Sequence, residues 1–151
     1  AAAAVKAALF FYFSSKDPKA VEISFLNGEK KQIKIDSVNI LDHNKVEALV
    51  IKDAGDDPDI THRAEIGATV TVSDSKEKGL TITISGGKGV GTVTKPGLEL
   101  PVGEPAINPG PRTMIQNSVK EVFTLFNFPK ISKPKVIKRR QHIINIILFS
   151  F

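Results

Sequence analysis

Apolar and polar residues alternate early in the chain in a way that predicts short β-strands. Val21, Ile23 and Phe25 are separated by polar residues, which is typical of a half-buried strand. Asn27-Gly28 follows directly and is a strong hairpin-turn signal. We expect one return strand to carry the next apolar positions, which are Ile33, Ile35, Val38 and Ile40.

Three further strands are predicted downstream. A polar turn at residues 42–44 leads to a third strand over 46–52. Residues 64–72 and 80–85 look like another strand pair, since residues 76–79 are polar, end in glycine and suit a turn between them. The sequence therefore indicates a mainly antiparallel sheet.

Two helices are expected to flank this sheet. The alanine-rich start of the chain predicts a buried helix that Asp17-Pro18 ends, because alanine is the best helix former and the residue before a proline avoids helical geometry. A signal peptide is the alternative for this stretch, but its apolar run is short and no clean cleavage site follows. Pro111 can begin a second helix that runs to about residue 127. Its apolar face would hold Met114, Val119, Val122, Phe123 and Phe126.

Residues 86–111 are rich in glycine and proline and show little periodicity. Such a segment suits neither a regular helix nor a central strand. Its scattered apolar residues favour a long, ordered, packed loop, and long loops in compact domains are usually functional. The fold class expected from these patterns is α+β, with flanking helices and a long ordered Gly/Pro-rich loop.

Composition narrows the chemistry. The chain has 151 residues and no cysteine, which excludes disulfides, a cysteine-ligated zinc site and a thiol nucleophile. No stretch reaches the roughly 20 apolar residues that a membrane span needs. We therefore expect a cytoplasmic protein without a membrane partner.

The net charge of +5 first suggests nucleic acid, but it is concentrated at one end. Residues 1–110 carry 13 basic and 15 acidic side chains, whereas residues 111–151 carry eight basic side chains and one acidic side chain. We therefore divide the chain into a body, 1–128, and a basic and apolar tail, 129–151. The tail would be either a basic arm for nucleic acid or membrane, or a segment foreign to the domain, and the second interpretation is favoured.

The first candidate site is the acidic string at 53–66. Asp53, Asp56, Asp57 and Asp59 lie close together, and crowded carboxylates repel, which can make one of them a proton acceptor. His62 follows and titrates near neutrality. The spacing lacks the glycine and glutamate of the helix–loop–helix calcium signature, so we expect no metal. An ordinary Asp-rich turn is the alternative.

The second candidate is a glycine-rich loop after a predicted strand. Gly87, Gly89 and Gly91 form G-x-G-x-G, a turn that lets backbone approach a cofactor. The residues that follow, through Pro96, cannot open a helix, so the usual nucleotide-binding versions are disfavoured. A ligand loop with cationic contacts from Lys88 and Lys95 remains one interpretation, and a bulged hairpin is the other.

The third candidate is the proline-rich string at 100–115. Four prolines stiffen the backbone there, and Asn108 and Arg112 are the polar groups that could face a ligand. Arginine grips carboxylates through two parallel hydrogen bonds. The alternative is that Arg112 caps or pairs locally.

Two long strings resemble the signature regions of a known family. KDAGDDPDITHRAEI at 52–66 and GGKGVGTVTKPGLELPVGEPAINPGPRTMI at 86–115 look like the cobalamin-biosynthesis protein D family, the cobalt-precorrin-5B C(1)-methyltransferases. The start, AAAAVKAALFF, also resembles a helix of that family. The resemblance covers about residues 1–125, its N-terminal portion, and departs at Arg63 and Gly110.

The resemblance implies methylation of C1 of a cobalt-precorrin by S-adenosylmethionine, with cobalt present only as part of the substrate. Within these strings, our own hypothesis assigns Gly87, Gly89, Gly91 and Thr92 to the cofactor, and Lys88, Lys95, Asn108 and Arg112 to the carboxylate arms of the substrate. Asp53, Asp56, Asp57 or His62 would accept a proton or orient the macrocycle. Family members are at least twice as long, so we expect their C-terminal half to be needed. The alternatives are a non-catalytic corrinoid-binding fragment and, less favoured, a nucleic-acid-binding domain that uses the tail.

Overall fold

The computed structural model describes residues 1–52, 63–76, 79–97, 99–127 and 141–151. The elements follow in this order: α1 (Ala2–Ser14), β1 (Ala20–Ser24), β2 (Lys30–Lys34), β3 (Ser37–Asp42), β4 (Lys45–Ile51), β5 (Glu65–Ser75), β6 (Leu80–Gly86), α2 (Pro109–Asn127) and β7 (Gln141–Ser150). Strands β1 and β2 form a small sheet, and the other five form a larger one in the order β3-β4-β5-β7-β6. Among the described strands only the β6–β7 pair is parallel, which confirms the α+β class with a mainly antiparallel sheet.

The predicted N-terminal helix is confirmed, and it is the most buried element. Its small alanine side chains let it lie close to the sheet, where it packs on β4 and β5, and α2 packs against it in turn. It ends at Ser14, and the Ser15 that caps it has a left-handed backbone (φ 57°), while the Ser15 N–H donates to the Phe11 carbonyl at 2.8 Å. Asp17-Pro18 follows and keeps the helix from continuing. None of the helices in the described ranges is both long and apolar enough to cross a membrane.

The hairpin at Asn27-Gly28 is also confirmed, but the return strand is not one strand. Gly28 adopts the positive φ of 87° that such a turn requires. The chain then changes sheets between Ile35 and Asp36. The Ile35 N–H donates to Lys19 O in the small sheet, and the Asp36 N–H donates to Leu49 O in the large one, both at 2.9 Å. The apolar positions change from odd (Ile33, Ile35) to even (Val38, Ile40) at this point, and this change of phase was not interpreted as a break.

Helix α2 begins at Pro109, two residues before the predicted start. A proline fits the first helical turn because its missing N–H would have no partner there anyway. Val119, Val122 and Phe123 are buried, as the predicted apolar face requires, and Met114 and Phe126 are half-buried. Ile115, which was not among the residues predicted for this face, is fully buried and is among the largest side chains of the core.

The expected pairing of residues 64–72 with 80–85 is wrong, because β7 lies between β5 and β6. Strand β7 is formed by the apolar end of the predicted tail, and it runs antiparallel to β5 and parallel to β6. Ile144 and Ile146 are fully inaccessible in the middle of the core, and Leu148 is 4% exposed. Local turn chemistry favoured a hairpin, but burial of these side chains outweighs it. The predicted boundary between body and tail, at residues 128 and 129, lies outside the described residues.

Candidate functional site

The two signature strings meet at one edge of the five-stranded sheet. Ile51, at the end of β4, is opposite Glu65 at the start of β5. On the other side of β5 lies the end of β7, where Leu148 is opposite Gly86 at the end of β6. The acidic string therefore leaves and re-enters the sheet at the edge from which the glycine-rich loop departs. We call this the signature edge; it comprises residues 51–52 and 63–65, the end of β7 and residues 86–92.

The proposed catalytic residues Asp53, Asp56, Asp57 and His62 lie outside the described residues. The structure does describe the two ends of their loop, Lys52 and Arg63. The Arg63 N–H donates to Lys52 O, and the Lys52 N–H donates to Ala64 O, both at 2.9 Å. Arg63 has a positive φ of 64°, in the left-handed region that residues other than glycine rarely adopt. The acidic loop is therefore closed at its base by backbone pairing on the signature edge.

Gly87 and Gly89 lie directly against the backbone of β7. The Gly87 N–H donates to Leu148 O at 2.7 Å, and Lys88 O accepts from the Ser150 N–H at 3.0 Å, so the loop extends the parallel ladder. A Cβ atom at Gly89 would come within 2.0 Å of Ser150 O, and one at Gly87 within 3.1 Å of Leu148 O. The close backbone approach that these glycines permit is made here by the chain itself.

Lys88 is the exposed residue between these glycines, and its side chain reaches over the end of β7. Its Nζ lies 4.9 Å from the ring centroid of Phe151, which is a cation–π contact. The Phe151 ring in turn lies 5.5 Å from that of Phe149. Phe151 and Ile147 are 59% and 45% exposed, so a cation and an apolar surface lie side by side here. The sequence analysis singled out Lys88 but missed the aromatic residues, since no motif included them.

Residues 90–106 fold back on themselves as two facing segments. Thr92 forms an isolated bridge with Pro105, and Gly91 O accepts from the Ala106 N–H at 2.8 Å. The Val93 N–H also donates to Glu104 O at 2.9 Å. Gly91, Thr92 and Lys95 are all exposed. The second and third candidate strings are thus joined by backbone hydrogen bonds.

Arg112 stabilises the turn into α2. Its Nε donates to Ile107 O at 3.0 Å, its Nη2 donates to Pro105 O at 3.3 Å, and the same nitrogen lies 3.5 Å from Glu104 Oε2. The local pairing that the sequence analysis left open is therefore present. Asn108, immediately before α2, is exposed. The assignment of Asn108 and Arg112 to the substrate stays a prediction.

Comparison with known families decides the kinship of the chain. The family model described as CbiD matches residues 1–135, which include both signature strings. The chain belongs to the CbiD family. Residues 141–150, which form β7, lie outside the matched range.

Three relatives have the name cobalt-precorrin-5B C(1)-methyltransferase. The relative from Salinispora arenicola is 48% identical over 125 residues, which are 83% of this chain and 32% of the relative. Relatives from Agrobacterium fabrum (45% identical, 81% and 31%) and Geobacter metallireducens (41%, 87% and 36%) give the same picture. The chain thus spans about a third of the length of the CbiD relatives it matches.

A solved structure shares the fold. It is the cobalamin biosynthesis protein (cbiD) from Archaeoglobus fulgidus, matched with a TM-score of 0.56 at 18% identity. The match covers 97% of this chain and 41% of that protein. The structural match therefore extends beyond the residues that the CbiD family model covers.

Proposed function

We propose that this chain forms part of an S-adenosylmethionine-dependent methyltransferase that methylates C1 of cobalt-precorrin-5B in cobalamin biosynthesis. The proposal depends on the relatives described above. They are 41–48% identical to this chain over more than four-fifths of its length, and all three are named cobalt-precorrin-5B C(1)-methyltransferase. The meeting of both signature strings at one sheet edge supports it, because a substrate site is usually built from loops gathered at one place. We also propose that catalysis requires the two-thirds of such an enzyme that this chain does not span.

The substrate would lie on the signature edge. A corrin precursor is a broad, largely apolar ring with acetate and propionate arms, and Lys88 beside Phe151 offers a cation next to an apolar surface. Lys95 and Asn108 are also exposed. Arg112 uses part of its guanidinium to fix the turn at Ile107, so its role would be to position Asn108 as well as to bind a carboxylate.

The methyl donor would meet the outer part of the glycine-rich loop. S-adenosylmethionine supplies an electrophilic methyl group on a sulfonium. Gly87 and Gly89 lie against the β7 backbone, whereas the nearest atom to a Cβ at Gly91 would be Ala106 Cβ at 3.8 Å. The exposed Gly91 and Thr92 are therefore the residues of the predicted set that we assign to the donor. Asp53, Asp56, Asp57 and His62 would accept a proton or orient the ring, and their loop begins and ends on the same edge. Enclosure of donor and acceptor would align them and exclude water.

A non-catalytic corrinoid-binding fragment is the second candidate, and the filling of the Gly87 and Gly89 positions by β7 favours it. Calorimetric titrations of the chain with S-adenosylhomocysteine and with a cobalt corrinoid distinguish the two. We expect saturable binding of both ligands if the chain carries donor and acceptor sites. Binding of the corrinoid alone would support the second candidate, and binding of neither would contradict both.

A further inference from the structure

In the part of the chain that the structure describes, the large sheet has helices on one face only. Helix α1 packs on β4 and β5, and most even-numbered residues of β4, β5 and β7 are buried on that side, for example Val46, Val70 and Ile146. Side chains alternate between the two faces of a sheet, so the odd-numbered residues of these strands and of β6 point to the other side. Several of them are exposed, such as Thr83 and Ile147. We call the surface formed by these odd-numbered residues the open face.

Two glycines flatten the open face at the signature edge. A Cβ atom at Gly67 would lie 2.2 Å from the Phe149 ring and 2.9 Å from Leu49 Cδ2, so both side chains reach over this glycine. A Cβ atom at Gly87 would lie 2.9 Å from Ile147 Cγ2, so the Ile147 side chain fills the space beside this second glycine. Side chains that lie over glycines give this end of the face a level apolar surface.

The apolar surface continues to the end of the chain. The Phe151 ring lies 5.5 Å from that of Phe149, and both Phe151 and Ile147 are exposed. An exposed apolar patch on a folded domain is typical of a binding site. We call this surface the apolar floor; it comprises Leu49, Ile147, Phe149 and Phe151.

The two sides of the apolar floor differ in charge. On the side of β6, Lys88 lies over Phe151, and none of the described ion pairs includes Lys88. On the other side, the acidic string is joined to the ends of β4 and β5, where Arg63 and Glu65 are exposed. An anionic group on a ligand would therefore be attracted to the Lys88 side of the floor.

Hydroxyl groups adjoin the apolar floor along the strands. Thr69 is opposite Ile147, and Thr71 and Thr83 are both opposite Asn145, so all of these residues share the open face. A threonine hydroxyl donates a hydrogen bond to a carboxylate as readily as it accepts one from a donor. The floor thus has hydrogen-bond donors next to it as well as a cation.

This combination fits a flat apolar ring with anionic groups on its rim. The floor crosses β4, β5 and β7, so a planar ligand can lie across the strands and contact all of it at once. An amphipathic helix would need a continuous apolar stripe, and the threonines interrupt any such stripe on this face. Small-molecule sites combine a mostly apolar lining with a few placed polar groups, as this face does.

We propose that the macrocycle of the substrate lies face-on against the apolar floor, with carboxylate arms directed to Lys88 and to the hydroxyls of Thr69 and Thr83. This inference rests on the proposed function, because it names the surface that holds the substrate of that enzyme. The ring contacts the open face and does not contact the helices. The two-thirds of the enzyme that this chain does not span would close the site over the ring.

A charge placed on the apolar floor tests this contact in the full chain. Ile147→Asp replaces an exposed apolar side chain with an anion at the place where the ring would lie. We expect it to weaken binding of cobyrinic acid, a cobalt corrinoid with free carboxylate arms, by about tenfold or more in calorimetric titration. Ile147→Leu keeps the apolar contact and should bind as the unchanged chain does. Asn117→Asp, on the exposed surface of α2, makes the same change of net charge and should have no effect. Equal affinities in Ile147→Asp and the unchanged chain would overturn the proposal.

Paramagnetic relaxation locates the ring without any substitution. The isotope-labelled chain is saturated with cobyrinic acid in its paramagnetic cobalt(II) form, and the diamagnetic cobalt(III) form is the reference. The broadening falls steeply with distance from the cobalt. We therefore expect the amide signals of Thr69, Asn145 and Ile147 to lose most of their intensity, whereas those of Asn117 and Thr124 on α2 keep theirs.

The contrary outcomes separate this inference from the proposed function. Saturable binding with broadening only outside the open face would overturn the inference and leave the methyltransferase proposal intact. That result would favour an open face covered by the rest of the enzyme. Absence of saturable corrinoid binding would overturn both proposals.

Discussion

Gly67→Ala is expected to lower the free energy of unfolding by roughly 1–3 kcal/mol, the usual cost of overpacking a core. The added methyl group would lie 2.2 Å from two ring atoms of Phe149 and 2.9 Å from Leu49 Cδ2. Alanine normally favours a strand over glycine by about 0.5–1 kcal/mol, so a net loss would show that the clash dominates. Urea denaturation followed by circular dichroism measures this change in the free energy of unfolding.

A matched control and a double variant identify the cause of this loss. Gly91→Ala makes the same chemical change at a position where the nearest atom, Ala106 Cβ, is 3.8 Å away, so we expect little effect. Phe149→Ala removes the ring that the new methyl group would strike. In the presence of Phe149→Ala, Gly67→Ala should cost nothing measurable, and strictly additive effects would contradict the contact.

Lys88→Glu is expected to weaken binding of a cobalt corrinoid with free carboxylate arms by about tenfold or more, which corresponds to about 1.4 kcal/mol. The substitution replaces a cation beside Phe151 with an anion at the place where we put the substrate. Lys88 is exposed, so the loss should shrink as the salt concentration rises. Calorimetric titration at low and high salt measures both the loss of affinity and its dependence on salt.

Lys16→Glu is the control for this charge reversal. Lys16 is an equally exposed lysine that follows α1. The end of that helix lies near the start of β7, where the ring of Phe13 is 6.2 Å from that of His142, and so away from the signature edge. We expect its affinity for the corrinoid to match that of the unchanged chain. Equal losses of affinity in Lys88→Glu and Lys16→Glu would mean that corrinoid binding depends only on the net charge of the chain.

Local signals predicted the elements whose cause is local. The alanine-rich helix, the Asn27-Gly28 turn and the apolar face of α2 each depend on residues a few positions apart, and each is confirmed. The position of β7 depends on partners about 60 to 80 residues away along the chain, such as Ser75 for Gln141 and Ile66 for Ser150. No periodicity within β7 indicates these partners, so the segment that forms this strand was interpreted as part of a tail.

The candidate site, too, was predicted only in the features that have a local cause. Residue types and spacing singled out the glycine-rich loop and Arg112, but only the topology shows that Gly87 and Gly89 contact β7 and that Arg112 bonds to Ile107 O. The apolar surface at Phe151 was missed because it forms only when the end of β7 reaches the signature edge. The sequence could name candidate residues, whereas their proximity follows from the order of strands.

Methyl transfer by a chimeric enzyme tests the central claim most directly. Residues 1–127 of this chain would replace the matching segment of the Salinispora arenicola relative, which is 48% identical over 125 residues. We predict that the chimera transfers a labelled methyl group from S-adenosylmethionine to C1 of cobalt-precorrin-5B. A chimera that folds and binds the corrinoid as the relative does, but transfers no label, would contradict the claim that this chain supplies a functional part of the methyltransferase.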